Sequence, residues 1–407
     1  MSRVCLLAAA ILLVASFAQA IVVSDSPNAS WHLTTSPGAY DGVGYLTSVT
    51  GTSAVVINPW FIITANHALG SNYLNHQFKM DLAEGRVSFN MIQKYQNPTA
   101  DLSIVRLNRS TGFDGYGLYR DSLEQTQDAI LAGYGMSGTP ATVTTGGAPA
   151  YPKGTRRVGW NKINSVGDVI GDGVQYIDYD LDHPSTTADY WGSLGADKEV
   201  MIGDGDSGGP TFLPSGGTLL LAGIHHVIYR ADPNKWPQYG DRGVDVRISS
   251  YAPWIDSILP DQPATETGDF NMDNVLSLLD VNALTSRFNG TDLWYDLTGD
   301  NVVNRSDLEN LVRTKIGTEF GDANLDHQVS LADYNVLASH FGVTGSWKWQ
   351  DGDFNGDGKV SFADYQLLEA GFGFGGATGT LPGAPVPEPV TASLLVLGSL
   401  ALVRRRR

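Results

Sequence analysis

Residues 203–210 read Gly-Asp-Gly-Asp-Ser-Gly-Gly-Pro, and four glycines in eight residues constrain this chain more than any other stretch. Glycine reaches backbone angles that other residues avoid, so the segment can turn tightly and aim several amide N–H groups at one point. At its centre Ser207 carries a hydroxyl, a poor nucleophile until a base removes its proton. Amide donors aimed at a developing oxyanion supply a large part of the rate in acyl transfer. The stretch reads as a nucleophile loop; an incidental Gly-rich turn is the bland alternative. A nucleophile loop needs a base, a group that orients the base, and a scaffold that holds all three.

The scaffold is built without disulfides. The chain of 407 residues has one cysteine, Cys5. It lies in Met1–Ala20, where Arg3, the apolar run Leu6–Phe17 and Ala18-Gln19-Ala20 have the charge, length and small-residue end of a secretory signal peptide. Without it the chain has neither a disulfide nor a Cys-ligated zinc, and core burial and bound ions must supply stability. The runs Val43-Gly44-Tyr45-Leu46, Ala54-Val55-Val56-Ile57 and Phe61-Ile62-Ile63-Thr64 are short, β-branched or aromatic, and broken by turn residues, as expected of strands. The third run delivers His67 within Thr64-Ala65-Asn66-His67-Ala68-Leu69. A further apolar run, Leu102-Ser103-Ile104-Val105-Arg106-Leu107, opens on Asp101, whose carboxylate at the mouth of a core strand wants a cationic or N–H partner.

Three of these segments resemble the trypsin/chymotrypsin-like serine peptidases: Gly-Asp-Ser-Gly-Gly-Pro at the nucleophile, Thr-Ala-Asn-His-Ala at the base, and Asp-Leu-Ser-Ile-Val-Arg-Leu at the acid. The order His67, Asp101, Ser207 is that of chymotrypsin rather than of subtilisin or the α/β-hydrolases. Gly243–Ile248 and Tyr251–Ile255 look like the family's last strand and C-terminal helix, so the resemblance covers residues 21–258. It implies an all-β double six-stranded antiparallel barrel acting on protein or peptide substrates. His67, Asp101 and Ser207 are then the catalytic triad, and the N–H groups of Gly205 and Ser207 the oxyanion hole. It also implies that a free Ile21 amine, left by cleavage after Ala20, pairs with Asp206; further trimming of the terminus is the alternative. In the specificity pocket it points to Met201, six residues before the nucleophile, and to His225 and His226. The apolar Met201 excludes a trypsin-type carboxylate at that position. For the histidine pair a Glu/Asp preference, as in glutamyl-specific bacterial relatives, and ordinary strand packing both stand.

Charge separates a second region. The net charge of −17 argues against a nucleic-acid partner. Residues 261–370 hold 19 acidic against 6 basic side chains, a net of −13. After a polar linker at 259–268, residues 269–370 repeat one pattern four times. Its oxygen-bearing side chains are Asp269, Asn271, Asp273 and Asp280; Asp296, Thr298, Asp300 and Asp307; Asp322, Asn324, Asp326 and Asp333; and Asp353, Asn355, Asp357 and Asp364. These are positions 1, 3, 5 and 12 of an EF-hand loop, with the carbonyls of Val275, Val302, Gln328 and Lys359 at position 7, a donor set suited to Ca²⁺. Position 6 needs a sharp turn and holds Asn274, Asn301, His327 or Gly358. A loop followed by a helix, with no entering helix, resembles type I dockerin repeats, a small α-helical calcium-loop domain that implies a cohesin-like or surface partner. Positions 10 and 11 depart from the dockerin pattern, and a calcium-stiffened spacer is the alternative.

A Gly/Pro-rich linker at 371–386 leads to Pro387-Glu388-Pro389, an apolar run Val390–Val403 and four arginines, Arg404–Arg407. This resembles the PEP-CTERM sorting signal. It implies export in a Gram-negative bacterium, transient anchoring by a short membrane helix and release by an exosortase-type enzyme. The expected whole is a surface-sorted serine endopeptidase with a calcium-binding tail. A non-catalytic adhesion protein on a protease scaffold is the rival that an intact triad argues against.

Overall fold

The structure, a computed structural model, describes residues 21–23, 38–47, 51–138, 153–182, 194, 199–230, 238–260 and 263–384. The expected signal peptide and sorting signal lie outside these residues. The chain divides into two compact units between Leu259 and Pro260.

The first unit opens with a closed six-stranded barrel, joined in the order Val43–Leu46, Thr52–Asn58, Phe61–Thr64, Ser103–Leu107, Gly85–Gln96, Gln77–Leu82 and back to the first. Side chains two apart along a strand share a face. Ala54 with Val56, Phe78 with Met80, Phe89 with Met91, and Val105 with Leu107 accordingly fill one buried cluster.

The second half is an eight-stranded sheet whose central strands are Pro210–Ser215, Thr218–Tyr229 and Arg242–Arg247. Its outer strands, Arg157–Lys162 and Ser165–Gly167, are one stretch of chain kinked at Ile163-Asn164. Before the kink it pairs with Asp128–Gly133, and after it with Tyr176–Asp180. Asn161 Nδ2 donates to Asp180 O at 2.6 Å and Asn164 N–H to Asp178 O at 2.8 Å across the gap. The kinked strand thereby closes a second barrel, completing a chymotrypsin-like double β-barrel. Ile21–Val23 forms a small separate sheet, parallel to Ser137–Gly138 and antiparallel to Val200–Met201.

Near the end of this unit, buried Glu124 receives Arg247 Nε at 3.0 Å, Arg247 Nη2 at 2.6 Å and Ser249 Oγ at 2.6 Å. The pair ties the last strand and the helix Ile248–Asp256 to the loop before Asp128.

In the second unit four loops each lead into a helix: Leu278–Thr285, Arg305–Glu309 (which continues in π-helical turns through Ile316), Leu331–His340 and Phe362–Gly371. Position 6 of every loop is left-handed, with φ of 62° at Asn274, 64° at Asn301, 63° at His327 and 79° at Gly358. The carboxylates of Asp280, Asp307, Asp333 and Asp364 each complete a capping box with Ser277, Asn304, Ser330 or Ser361. The twelfth loop residue is therefore also the third residue of its helix. The helices pack first with second and third with fourth. Buried Trp294 donates through Nε1 to Phe270 O in the first pair, and buried Trp349 to Asp322 O in the second.

Glu124→Ala would leave the Arg247 guanidinium buried and unpaired, a change that costs about 3–5 kcal/mol. Chemical denaturation should show a loss of that order, and an unaltered midpoint would show that the pair holds nothing together.

Candidate active site

The strand Phe61–Thr64 pairs with Ser103–Leu107, placing Thr64 opposite Ser103. His67 lies just beyond the end of the first strand and Asp101 just before the start of the second, so one ladder sets both. The His67 backbone N–H donates to Asp101 Oδ1 at 2.9 Å, and its ring Nδ1 lies 2.5 Å from Asp101 Oδ2. A second imidazole reaches the same oxygen: His226 Nδ1 is 2.8 Å from Asp101 Oδ2. Burial pushes the Asp101 carboxyl up, but hydrogen bonds from His226 and His67 outweigh it and hold the pKa well below the usual carboxylate range. The His226 ring stacks on Tyr176 at 5.5 Å, and the Tyr176 hydroxyl donates to Asp172 at 2.8 Å.

Ser207 is carried by the glycine loop, which is pinned from both sides. Asp206 is fully buried, and its carboxylate accepts Gly203 N–H and Gly135 N–H, each at 2.7 Å, and the backbone N–H of Ile21. Burial still raises its pKa against these donors. The Ser207 carbonyl accepts Ser53 N–H at 3.0 Å; Ser53 O in turn accepts Thr64 Oγ1 at 2.8 Å, one turn before His67. Gly208 N–H donates to His225 O at 2.8 Å. Ser53 thus links the Ser207 loop to the strand that ends before His67. Among the described residues the Ser207 hydroxyl makes no hydrogen bond to His67; such bonds commonly tighten only when substrate arrives.

Met136 N–H donates to Asp204 O at 2.8 Å, turning that carbonyl away, while Gly205 takes φ of 96°. The N–H groups of Gly205 and Ser207 have no partner among the described residues, as a pair of oxyanion donors requires.

Beside Ser207 lies a cavity of about 360 Å³, walled by residues 202–205 on one side and by His226, Val227, Ile228 and Arg230 on the other. An ion pair from Arg230 to Asp204 spans it. Of the three residues expected in a specificity pocket, His226 faces this cavity. Met201 is fully buried in the second core, opposite Val22 of the small sheet. His225 is fully buried behind the wall, its Nδ1 3.0 Å from Asp245 Oδ1. The strand bulges at His226, between His225 paired with Asp245 and Val227 paired with Val244, and the two adjacent histidines reach different carboxylates.

Residues 35–255 match the family model for trypsin, which is more than half of the chain. The chain belongs to the trypsin family. Its first unit is a serine protease domain, a hydrolase of protein substrates. No curated protein matches the chain. Among solved structures it is similar to neuropsin, a serine protease expressed in the limbic system of mouse brain, at 17% identity and a TM-score of 0.42, over 56% of this chain and 97% of that one.

Sequence reasoning missed Arg230 and Asp245 in this trypsin-family domain. Asp245 had a signal, a lone carboxylate between two valines in the strand Arg242–Arg247; buried, it accepts Thr211 Oγ1 at 2.5 Å and Tyr179 OH at 3.0 Å. Arg230 had none, since it becomes a pocket residue only when its strand folds against the glycine loop.

A Cβ at Gly208 would lie 1.9 Å from Thr64 Oγ1 and 2.3 Å from Ser53 O, at φ of 83°. Gly208→Ala should cost roughly 2–4 kcal/mol by clash and strain. A thermal midpoint like that of the wild type would mean that the loop does not rest on the Phe61–Thr64 strand.

Proposed function

We propose that the first unit is an exported serine endopeptidase in which Ser207, His67 and Asp101 act as nucleophile, base and orienting acid. The observation that carries this reading is the double grip of His67 on Asp101, through N–H and Nδ1, beside a glycine loop with two unpartnered amides. Ser207 Oγ bonds to the substrate carbonyl carbon while its proton passes to His67 Nε2. Asp101 stays ionised and stabilises the imidazolium. The oxyanion is held by Gly205 and Ser207 N–H until the C–N bond breaks and His67 returns the proton to the leaving amine. Water then repeats the sequence on the acyl-enzyme, with His67 again as base.

Cleavage after Ala20 would turn the Ile21 N–H, already bonded to Asp206, into an ammonium beside a buried carboxylate. Removal of the leader would then complete the loop without a separate propeptide. In the cavity, Ile202, Val227 and Ile228 supply apolar wall, and the Arg230–Asp204 pair supplies charge. The burial of His225 against Asp245 favours strand packing for that histidine. The terminal segment 387–407 is assigned to surface sorting through a short membrane helix and an exosortase-type enzyme, on its sequence. Among the described residues no helix is long and apolar enough to cross a membrane.

For the second unit we infer a Ca²⁺-binding repeat. The oxygen donors at positions 1, 3, 5 and 12 of each loop would hold the ion, which when bound supplies counter-charge to crowded carboxylates. Burial and neighbouring carboxylates push Asp280, Asp307, Asp322 and Asp364 upward, and Asp353 to about 6. Such strain on the ionised form is what a divalent cation relieves. The dockerin resemblance implies a cohesin-type partner, and the departures at positions 10 and 11 keep a calcium-stiffened spacer as the alternative.

Ser207→Ala should lose at least about a thousandfold in casein hydrolysis while keeping its melting temperature, and Asp101→Asn about 10⁴-fold. Wild-type turnover in Ser207→Ala would end the catalytic assignment.

The raised carboxylates give a signed prediction for the repeats. Without calcium the folded state binds more protons than the unfolded, so stability is lost as pH rises from about 4 through 6. In EDTA, acidifying from pH 7 to 5 should raise the melting temperature of the second unit, and saturating Ca²⁺ should raise it further and flatten that dependence. Calorimetry that shows neither calcium effect would remove the calcium assignment.

A further inference from the structure

Asp101 is shared by two imidazoles, and this chain's histidine at residue 226 makes the shared site a metal-ligand set. His67, Asp101 and His226 each offer a ligand atom, and the three atoms lie within 4.8 Å of one another. Both histidines turn Nδ1 towards Asp101 Oδ2, at 2.5 and 2.8 Å, with ring centroids 5.9 Å apart and planes at 68°. Two imidazoles and a carboxylate form a borderline-soft donor set, the kind that takes Zn²⁺ rather than Ca²⁺ or Mg²⁺. The His67 side chain is 47% exposed, so one wall of the site is open to solvent.

We propose that His67, Asp101 and His226 form an inhibitory site for a zinc-like divalent cation, distinct from the calcium loops. This rests on the peptidase reading, since it assigns regulation to the same cleft. Zinc places its nitrogen and oxygen ligands about 2.0–2.2 Å away, so tetrahedral neighbours stand roughly 3.3 Å apart. The present nitrogen–oxygen separations must open by roughly half to one ångström, a shift that the exposed His67 ring can make.

The inhibition follows from tautomers. In the working site His67 carries its proton on Nδ1 and presents the Nε2 lone pair to Ser207. With the metal on Nδ1, the neutral ring carries its proton on Nε2. No proton is gained or lost: the proton moves from Nδ1 to Nε2, the freed Nδ1 lone pair is taken by the metal, and Nε2 faces the hydroxyl with an N–H in place of the lone pair that would accept the Ser207 proton. The base is removed while the fold is untouched. His226 decides affinity, because without it only two protein ligands remain.

The test uses the full chain with its calcium loops saturated by excess Ca²⁺ and Zn²⁺ as the probe. Calorimetry on Ser207→Ala, which needs no turnover, should show one zinc site that is lost or weakened at least tenfold when His226→Gln is added, and likewise with His67→Ala. Co²⁺ in place of Zn²⁺ should give the intense visible absorption of a four-coordinate site in Ser207→Ala and lose it in both double variants. In active protein, zinc should inhibit, a zinc-selective chelator should restore turnover, and His226→Gln should need at least tenfold more zinc. Zinc heat unchanged in both double variants, or absent altogether, would overturn the proposal. Inactivity of the wild type with the zinc heat intact would count against the peptidase reading alone.

Discussion

One buried carboxylate holds the glycine-rich loop around Ser207 in shape. Asp206 sits without solvent beneath Ser207 and accepts backbone N–H groups from Gly135, Gly203 and Ile21, three segments far apart in the chain. A buried charge is tolerated only when donors surround it. Each donor is therefore held in place, and the loop cannot drift without exposing a carboxylate to an apolar core. The closeness of approach explains the glycines: a Cβ at Gly133 would come within 2.0 Å of Asp206 Oδ1, and one at Gly135 within 2.5 Å of Asp206 N.

The same economy of donors recurs in the second unit. Each loop opens with an aspartate that accepts backbone N–H groups from inside the loop, as Asp353 does from Gly356, Asp357 and Gly358. Each loop closes with an aspartate that caps the following helix, as Asp364 does for Ser361. Backbone donors orient the carboxylates but do not neutralise them, which is why several are held above their ordinary range. Folding concentrates negative charge in these loops, whereas in the first unit it surrounds each buried carboxylate with partners.

Much of the site was legible in the linear order. The glycine-rich loop, the strand ending before His67 and the strand opening after Asp101 are local patterns, and local patterns report backbone geometry directly. The kink at Ile163-Asn164 was not legible, because it is decided by which strands lie at the two edges of the sheet. The burial of Met201 was missed for a related reason: it faces the core because Ile21–Val23 pairs alongside it. For the histidine pair the sequence left two readings open, and a bulge at His226 separates the two side chains, with His225 against Asp245 and His226 against Asp101.

The sequence alone determined which side chains stand as candidates for the chemistry, the order in which the chain presents them and the fourfold recurrence of the acidic loops, since these depend on residue type and spacing. Only the tertiary structure decided that Asp101 serves two imidazoles and that Arg230 reaches across to Asp204. It also decided that the twelfth loop residue caps its own helix. Those are meetings of side chains in space, set by ladder register and strand facing, and spacing along the chain carries no record of them.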